Sequence, residues 1–346
     1  MTDERREYDA RRAGTGLRGG LASCATPLGR PGRPRPEVLA IFGPTGIGKT
    51  AIALALADRL RETGEDPVAI SADALQVYAG LETLTAAPTA AERARLEHRL
   101  VGWLPVTKTF SVGEFMPLAH AEIDAALEAG RRPIVVGGTG LYLRAALTEL
   151  DLRPPPAPGV RERLEGELAA RGAVALHADL AARAPEAAAR IEPTDRSRVV
   201  RALELIESGL EPRAEPQPGG SQLWTGETRL NTLLCGLVAD REVLDERIEE
   251  RVDAMVAAGA LDEVRRAEEA GASLTARAAL GFEELLNGDV DGLKRRTRKL
   301  AKRQLTWMRK LGGLHTVEVT GRGPGEVAAE LAHLYSAAPN ERAPAG

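Results

Sequence analysis

The run Gly43, Pro44, Thr45, Gly46, Ile47, Gly48, Lys49 and Thr50 constrains this chain more than any other stretch. It matches G-x-x-x-x-G-K-[ST] in full, a pattern that works when a strand delivers the chain to the loop and a helix carries it away. The backbone must curl around phosphate oxygens with several N–H groups pointing inward, and glycines permit that curl because they tolerate positive φ. Lys49 adds a point charge, the helix beginning near Thr50 presents its positive dipole end, and the Thr50 hydroxyl is placed to hold Mg²⁺. The flanks agree. Val38, Leu39, Ala40, Ile41 and Phe42 form an apolar run suited to a buried parallel strand, and Thr50 to Leu60 reads as a helix with Ile52, Leu54, Ala55 and Leu56 among its apolar positions. The loop says diphosphate; it does not by itself say ATP.

Further strands are expected at Pro67 to Ile70 and at Pro133 to Val136, the latter closed by Gly137 and Gly138 and preceded by a helix from Val112 to Ala129 that ends at Gly130. Strand, loop, helix, strand is the opening of an α/β sheet, and in such sheets ligands gather beyond the carboxyl ends of the strands. A Pro-rich segment, Arg153 to Gly159, marks a boundary. Val160 to about Gly209 has helical spacing, Glu211 to Gly220 is a Pro/Gly loop, and strand character returns at Leu233 to Val238. Helices follow at Val243 to Gly259 and Gly292 to Leu311. The expected organisation is a disordered extension over 1–36, a catalytic domain over 37–153 and 230–320, a helical insertion over 154–229, and a tail over 321–346.

An ATPase places a magnesium-binding Asp at the tip of an apolar strand, whereas Ile134 to Val136 runs into glycines. Asp73 lies just beyond the second strand, and a carboxylate there can act as metal ligand or base; spacing leaves both open. The net charge of −4 excludes an all-over basic coat, and two cysteines, Cys24 and Cys235, support neither a disulfide framework nor a zinc site. Cys235 reads as a small buried apolar residue. With no apolar run of membrane length and no signal peptide, the expectation is a soluble cytoplasmic monomer with no membrane association.

Several ordered motifs carry a resemblance. They are GPTGIGKT (Gly43 to Thr50), SADALQVYAGL (Ser71 to Leu81), VGGTGLYL (Val136 to Leu143), DRSRVVRALEL (Asp195 to Leu205) and KRQLTWMRK (Lys302 to Lys310). In this set the chain resembles the tRNA dimethylallyltransferase (tRNA isopentenyltransferase) family over roughly 270 residues, Val38 to Lys310. The resemblance implies a P-loop NTPase-like parallel sheet with flanking helices and a helical insertion domain. It implies transfer of a dimethylallyl group from dimethylallyl diphosphate to N6 of adenosine 37, beside the anticodon, in tRNAs reading codons that begin with U. Asp73 matches the family's base, and Thr139 a position near the phosphates and the substrate base. Without the resemblance, Thr139 reads more simply as a turn-stabilising threonine. The tRNA anticodon stem-loop is then expected to meet Asp73, Ala74, Leu75 and Gln76, together with Arg161, Arg196 and Arg198, and Gln76 is the candidate for reading a base edge.

Between Lys294 and Lys310 nine basic residues occur with no acidic one: Lys294, Arg295, Arg296, Arg298, Lys299, Lys302, Arg303, Arg309 and Lys310. A charge run is commonly a solvated face, but Gln304, Thr306 and Trp307 interleave hydrogen-bonding and stacking groups suited to RNA. Lys302, Arg303, Gln304, Trp307 and Arg309 are the candidate contacts, although Trp307 also reads as core. Three departures from the family pattern stand out. Ala74 replaces a Ser after the catalytic Asp, Leu84 to Pro88 lacks the Gly and Lys of G-T-A-K-P, and a histidine pair survives as Glu97 and His98. The rival readings are a nucleoside or metabolite kinase with Arg196, Arg198 and Arg201 as its lid, the transferase that prenylates free adenylate, and a non-catalytic nucleotide-binding module.

Overall fold

The computed structural model describes residues 35–212 and 225–337, which divide into two compact units, one running to Leu150 and resuming at Thr225, the other Asp151–Trp224. The extension over 1–34, Cys24 and the Pro/Gly loop from 213 onward lie outside the described residues.

In the first unit six parallel strands form one sheet. They are β1 (Val38–Phe42), β2 (Pro67–Ser71), β3 (His98–Arg99), β4 (Arg132–Gly137), β5 (Thr232–Val238) and β6 (Leu314–Glu318), in the spatial order β3-β2-β4-β1-β5-β6. The apolar runs of β1 and β2 are buried at every position, as expected of parallel strands covered on both faces. Phe42 pairs with Gly137 and with Gly236, and Ser71 pairs with Val136, so the carboxyl ends of β1, β2 and β4 end level. The chain leaves β1 for β2 and returns to β4 between them, which makes the β1/β4 boundary a topological switch point.

Helices cover the sheet: α1 (Lys49–Glu62), α2 (Val112–Glu128), α3 (Gly140–Leu147), α4 (Arg241–Ala257), α5 (Val290–Met308) and α6 (Pro324–Ala337). The start of α2 is set by a reciprocal capping box between Ser111 and Glu114. The region of 321–346 expected as a tail is, up to residue 337, part of the core instead. Helix α6 packs on α1 and buries Val327, Ala328, Leu331 and Tyr335. Tyr335 also donates to Glu65 at 3.0 Å and lies under the Arg132 guanidinium, 5.3 Å from the ring centroid. Strand β6 was likewise unexpected; its burial pattern, Leu314 to Glu318, has one buried residue, Val317, and so carries little apolar signal. Cys235 is buried in β5, and burial raises its thiol pKa to about 12, in keeping with an inert core residue. No helix among the described residues is long and apolar enough to cross a membrane.

The second unit is a small helical bundle, Val160–Arg171, Ala173–Arg183, Pro185–Ala188 and Arg196–Glu207. Leu164, Leu168, Leu176, Leu180, Val199 and Leu203 form its core. Its boundary at 151 falls close to the Pro-rich segment.

Because α6 is integral, Leu331→Ala should cost about 2–5 kcal/mol, as a buried leucine truncation does. Thermal or urea denaturation checks this; an unchanged midpoint would return the segment to the status of a tail.

Candidate active site

The phosphate loop follows β1 with Gly46 at φ 82° and Gly48 at φ 93°, the left-handed conformations its curl requires. Lys49 folds inward, its Nζ donating to the carbonyl oxygens of Gly43 and Pro44 at 3.0 Å each. Burial, and after it the Arg251 charge, bring its pKa down to about 8 against the opposing pull of the Asp73 carboxylate. The Thr50 hydroxyl, in the first turn of α1, makes no hydrogen bond among the described residues.

Asp73 stands two residues past β2. The Leu75 N–H donates to its Oδ1 at 3.0 Å, an Asx turn that fixes the carboxylate without consuming its other oxygen. Ala74 and Leu75 continue that turn and are partly exposed. Arg251, from α4, is the third charge of the group: burial lowers its pKa and Asp73 raises it, and the guanidinium stays charged. No hydrogen bond or ion pair holds Arg251 among the described residues. The sequence analysis did not single it out. The available signal was its spacing, since Leu244, Ile248, Arg251 and Met255 follow one stripe and the other three are buried.

The turn after β4 closes the group. A side chain at Gly138 would lie 2.7 Å from Gln304 Nε2, 3.1 Å from the Gly43 carbonyl and 3.2 Å from Lys49 Nζ, so only glycine lets these meet. Gly137 is pressed against the Ala72 backbone, and Gly140 against the Trp307 indole. Thr139 is the N-cap residue of α3, yet its side chain makes no capping hydrogen bond. One turn further, the Tyr142 ring packs on Phe115 at 4.8 Å, and burial raises its pKa, so it stays a neutral phenol.

Other expected contacts are distributed differently. Gln76 is engaged at both ends, accepting from the Ser71 hydroxyl at 2.9 Å and donating to the Ala86 carbonyl at 3.3 Å, so it braces the Asp73 loop instead of presenting a free amide. In the helical unit, Arg161 forks onto the fully buried Glu204 at 2.6 and 2.9 Å, while its own side chain stays 44% exposed. Arg201 also meets Glu204, at 2.9 Å, and donates to the carbonyls of Arg153 and Pro154, which removes it from any kinase-like lid. Arg196 and Arg198 are exposed, Arg198 3.5 Å from Asp195.

The basic run of α5 splits in two. Lys294 pairs with Asp253, Arg295 with Asp289, Arg296 with Glu284 and Arg298 with Glu249. Lys299, Lys302, Arg303 and Arg309 are exposed and make no ion pair among the described residues. Gln304 departs from expectation. It is 7% exposed, with Oε1 accepting from the Thr45 N–H at 2.9 Å and Nε2 donating to the Gly138 carbonyl at 2.8 Å, so both ends are spent inside the protein. Trp307 is partly buried against Gly140.

The altered loops are structural. Leu84 is buried, and the N–H groups of Thr83 and Leu84 donate to Glu263 at 3.0 Å. Glu97 pairs with Arg99 and Arg131, and His98 lies on the edge strand β3 with burial lowering its pKa.

With Lys49 charged below about pH 8 and neutral above it, pyrophosphate affinity should fall about tenfold from pH 7 to pH 9 once the ligand's own ionisation is corrected for. Calorimetry across that range checks this, and Lys49→Arg should flatten the profile.

Two family descriptions match the chain, IPP transferase over residues 76–311 and isopentenyl transferase over residues 36–107. The tRNA dimethylallyltransferase of Thermobifida fusca is 43% identical over 289 residues, covering 80% of this chain and 88% of the relative. That of Rhodospirillum centenum is 44% identical over 284 residues, covering 79% and 88%. Among solved structures, the full-length tRNA isopentenylpyrophosphate transferase of Bacillus halodurans superimposes with a TM-score of 0.60 at 34% identity, over 86% of this chain and 96% of that one. A glycine-rich loop beside a carboxylate, a hydroxyl and two cations is thus found in a chain that, on this breadth of likeness, belongs to the IPP transferase family.

Proposed function

We propose that this protein transfers a dimethylallyl group from dimethylallyl diphosphate to N6 of adenosine 37 in tRNAs reading codons that begin with U. The observation that carries this reading is the meeting of Lys49, Asp73 and Arg251 around the phosphate loop, beside the Thr139 hydroxyl, in a chain of this family.

The reaction forms a bond from N6 to C1 of the dimethylallyl group and breaks the C1–O bond to diphosphate. Negative charge grows on the departing oxygens, where the loop N–H groups, Lys49 and Arg251 stabilise it without reorganising. The N6 amine is a weak nucleophile because its lone pair is delocalised into the ring, and it loses a proton as the new bond forms. Asp73 takes that proton through the oxygen its Asx turn leaves unused. Diphosphate, the modified adenosine and one proton on Asp73 balance the step. Thr139, at the mouth of the same turn, orients substrate.

Mg²⁺ fits the residues present. The Thr50 hydroxyl is unengaged, and no cluster of three or more His, Cys, Asp or Glu forms a protein cage among the described residues, so diphosphate oxygens and water would complete the shell. When bound, the ion supplies charge neutralisation of the diphosphate. The acceptor adenosine has to leave the anticodon-loop stack to reach Asp73. Lys299, Lys302 and Arg303 of α5 and Arg309 just past its end, exposed and in no ion pair among the described residues, are suited to the RNA backbone, and Arg196 and Arg198 provide a second exposed pair.

Asp73→Ala should lower kcat by about 10²–10⁴-fold while leaving anticodon stem-loop affinity nearly unchanged; single-turnover assays with dimethylallyl diphosphate read this, and full activity would remove Asp73 from the mechanism. Removing both charges in Lys302→Ala/Arg303→Ala should weaken stem-loop binding and reduce its log–log salt slope by about 1 to 2. A slope equal to that of the unaltered protein would assign these residues to a solvated face.

A further inference from the structure

Gln304 is the buried member of a motif expected to face RNA, and what it holds is informative. Its carboxamide joins the Thr45 N–H of the phosphate loop to the Gly138 carbonyl of the turn that carries Thr139. Three residues on, and so on the same side of α5, Trp307 presses on Gly140, the first residue of α3. One rigid helix of 19 residues, Val290–Met308, therefore grips both turns between which the reaction takes place. The opposite side of that helix carries Lys302, two residues or about 200° from Gln304, with Arg303 and Lys299 also exposed.

We infer that Gln304 is a positioning residue that couples the two substrates: diphosphate in the loop and RNA on the outer face of α5 bind more tightly together than apart. This rests on the RNA reading of the basic face. Thr45 and Gly138 contribute backbone groups of two turns on neighbouring strands, and Lys49 Nζ satisfies itself on the Gly43 and Pro44 carbonyls. Diphosphate, by ordering the loop, orders the acceptor and donor partners of Gln304. RNA seated across α5 orders the same clamp from the other side, so whichever ligand arrives second has less conformational entropy left to lose. The coupling is reciprocal by necessity. Glutamine is needed chemically, because one end must accept from an N–H and the other donate to a carbonyl. Glutamate keeps the acceptor, loses the donor and sets a negative charge beside the phosphate loop; leucine loses both and leaves the buried Gly138 carbonyl and the part-buried Thr45 N–H without this partner.

The test is the affinity of an anticodon stem-loop, by fluorescence anisotropy, with and without saturating inorganic pyrophosphate and Mg²⁺, for the unaltered protein, Gln304→Leu and Gln304→Glu. The unaltered protein should bind RNA at least about fivefold more tightly with pyrophosphate present. In both variants that ratio should fall towards one, with KM for dimethylallyl diphosphate rising when RNA is limiting. Leu331→Ala, a destabilising change that leaves the Gln304 hydrogen bonds in place, should keep the full ratio, which separates coupling from mere stability. A ratio of one in the unaltered protein, or an undiminished ratio in Gln304→Glu, would overturn the inference. Failure of the RNA reading shows separately, as stem-loop affinity and salt slope that ignore Lys302→Ala/Arg303→Ala.

Discussion

The parallel register of the three inner strands governs where every reacting group stands. Phe42 lies opposite Gly137 and Ser71 opposite Val136, so the phosphate loop, the Asp73 turn and the Thr139 turn emerge at one level from neighbouring strands. A shift of two residues in either ladder would move a turn by roughly 6–7 Å along the strand and break the group apart. Continuous apolar strands alone do not protect against such a shift. Glycine contacts do: Gly137 against Ala72 and Gly138 against Gly43, Lys49 and Gln304 fit only at this register.

The charges of the site are then held by different means. Asp73 is fixed by a bond from its own loop, Lys49 by the carbonyls of the phosphate loop, and Arg251 by a position on the apolar stripe of α4 that gives it no protein partner among the described residues. Two cations and one carboxylate in partial burial leave net positive charge beside the glycine-rich loop. The lowered pKa of Lys49 reports the cost of holding that charge.

Much of this was legible in the chain. The phosphate loop could be read because its chemistry is local: eight consecutive residues supply the curl, the cation and the hydroxyl, and the strand and helix on either side are periodic enough to identify. The inner strands and the longer helices followed for the same reason. The edges did not. Strand β6 has one buried residue, and α6 follows a short Gly-containing turn, so neither announces that it completes the sheet and core. The basic run of α5 was correctly seen as a concentration of charge, but half of it is neutralised by Asp253, Glu249, Glu284 and Asp289, all outside the run itself.

By itself, then, the sequence determined the α/β class, the glycine-rich loop and the family resemblance, and singled out Asp73 and Thr139 as candidates, because each rests on short segments whose meaning survives without neighbours. Only the tertiary structure decided which polar side chains are free. Gln304, Gln76, Arg161 and Arg201 all looked available and are engaged internally, while Arg251, which the sequence did not single out, lies close enough to Asp73 for their charges to interact. The physical reason is that a donor or acceptor is spent by whatever lies within about 3 Å of it. For these residues that partner is 3 to 259 positions away along the chain.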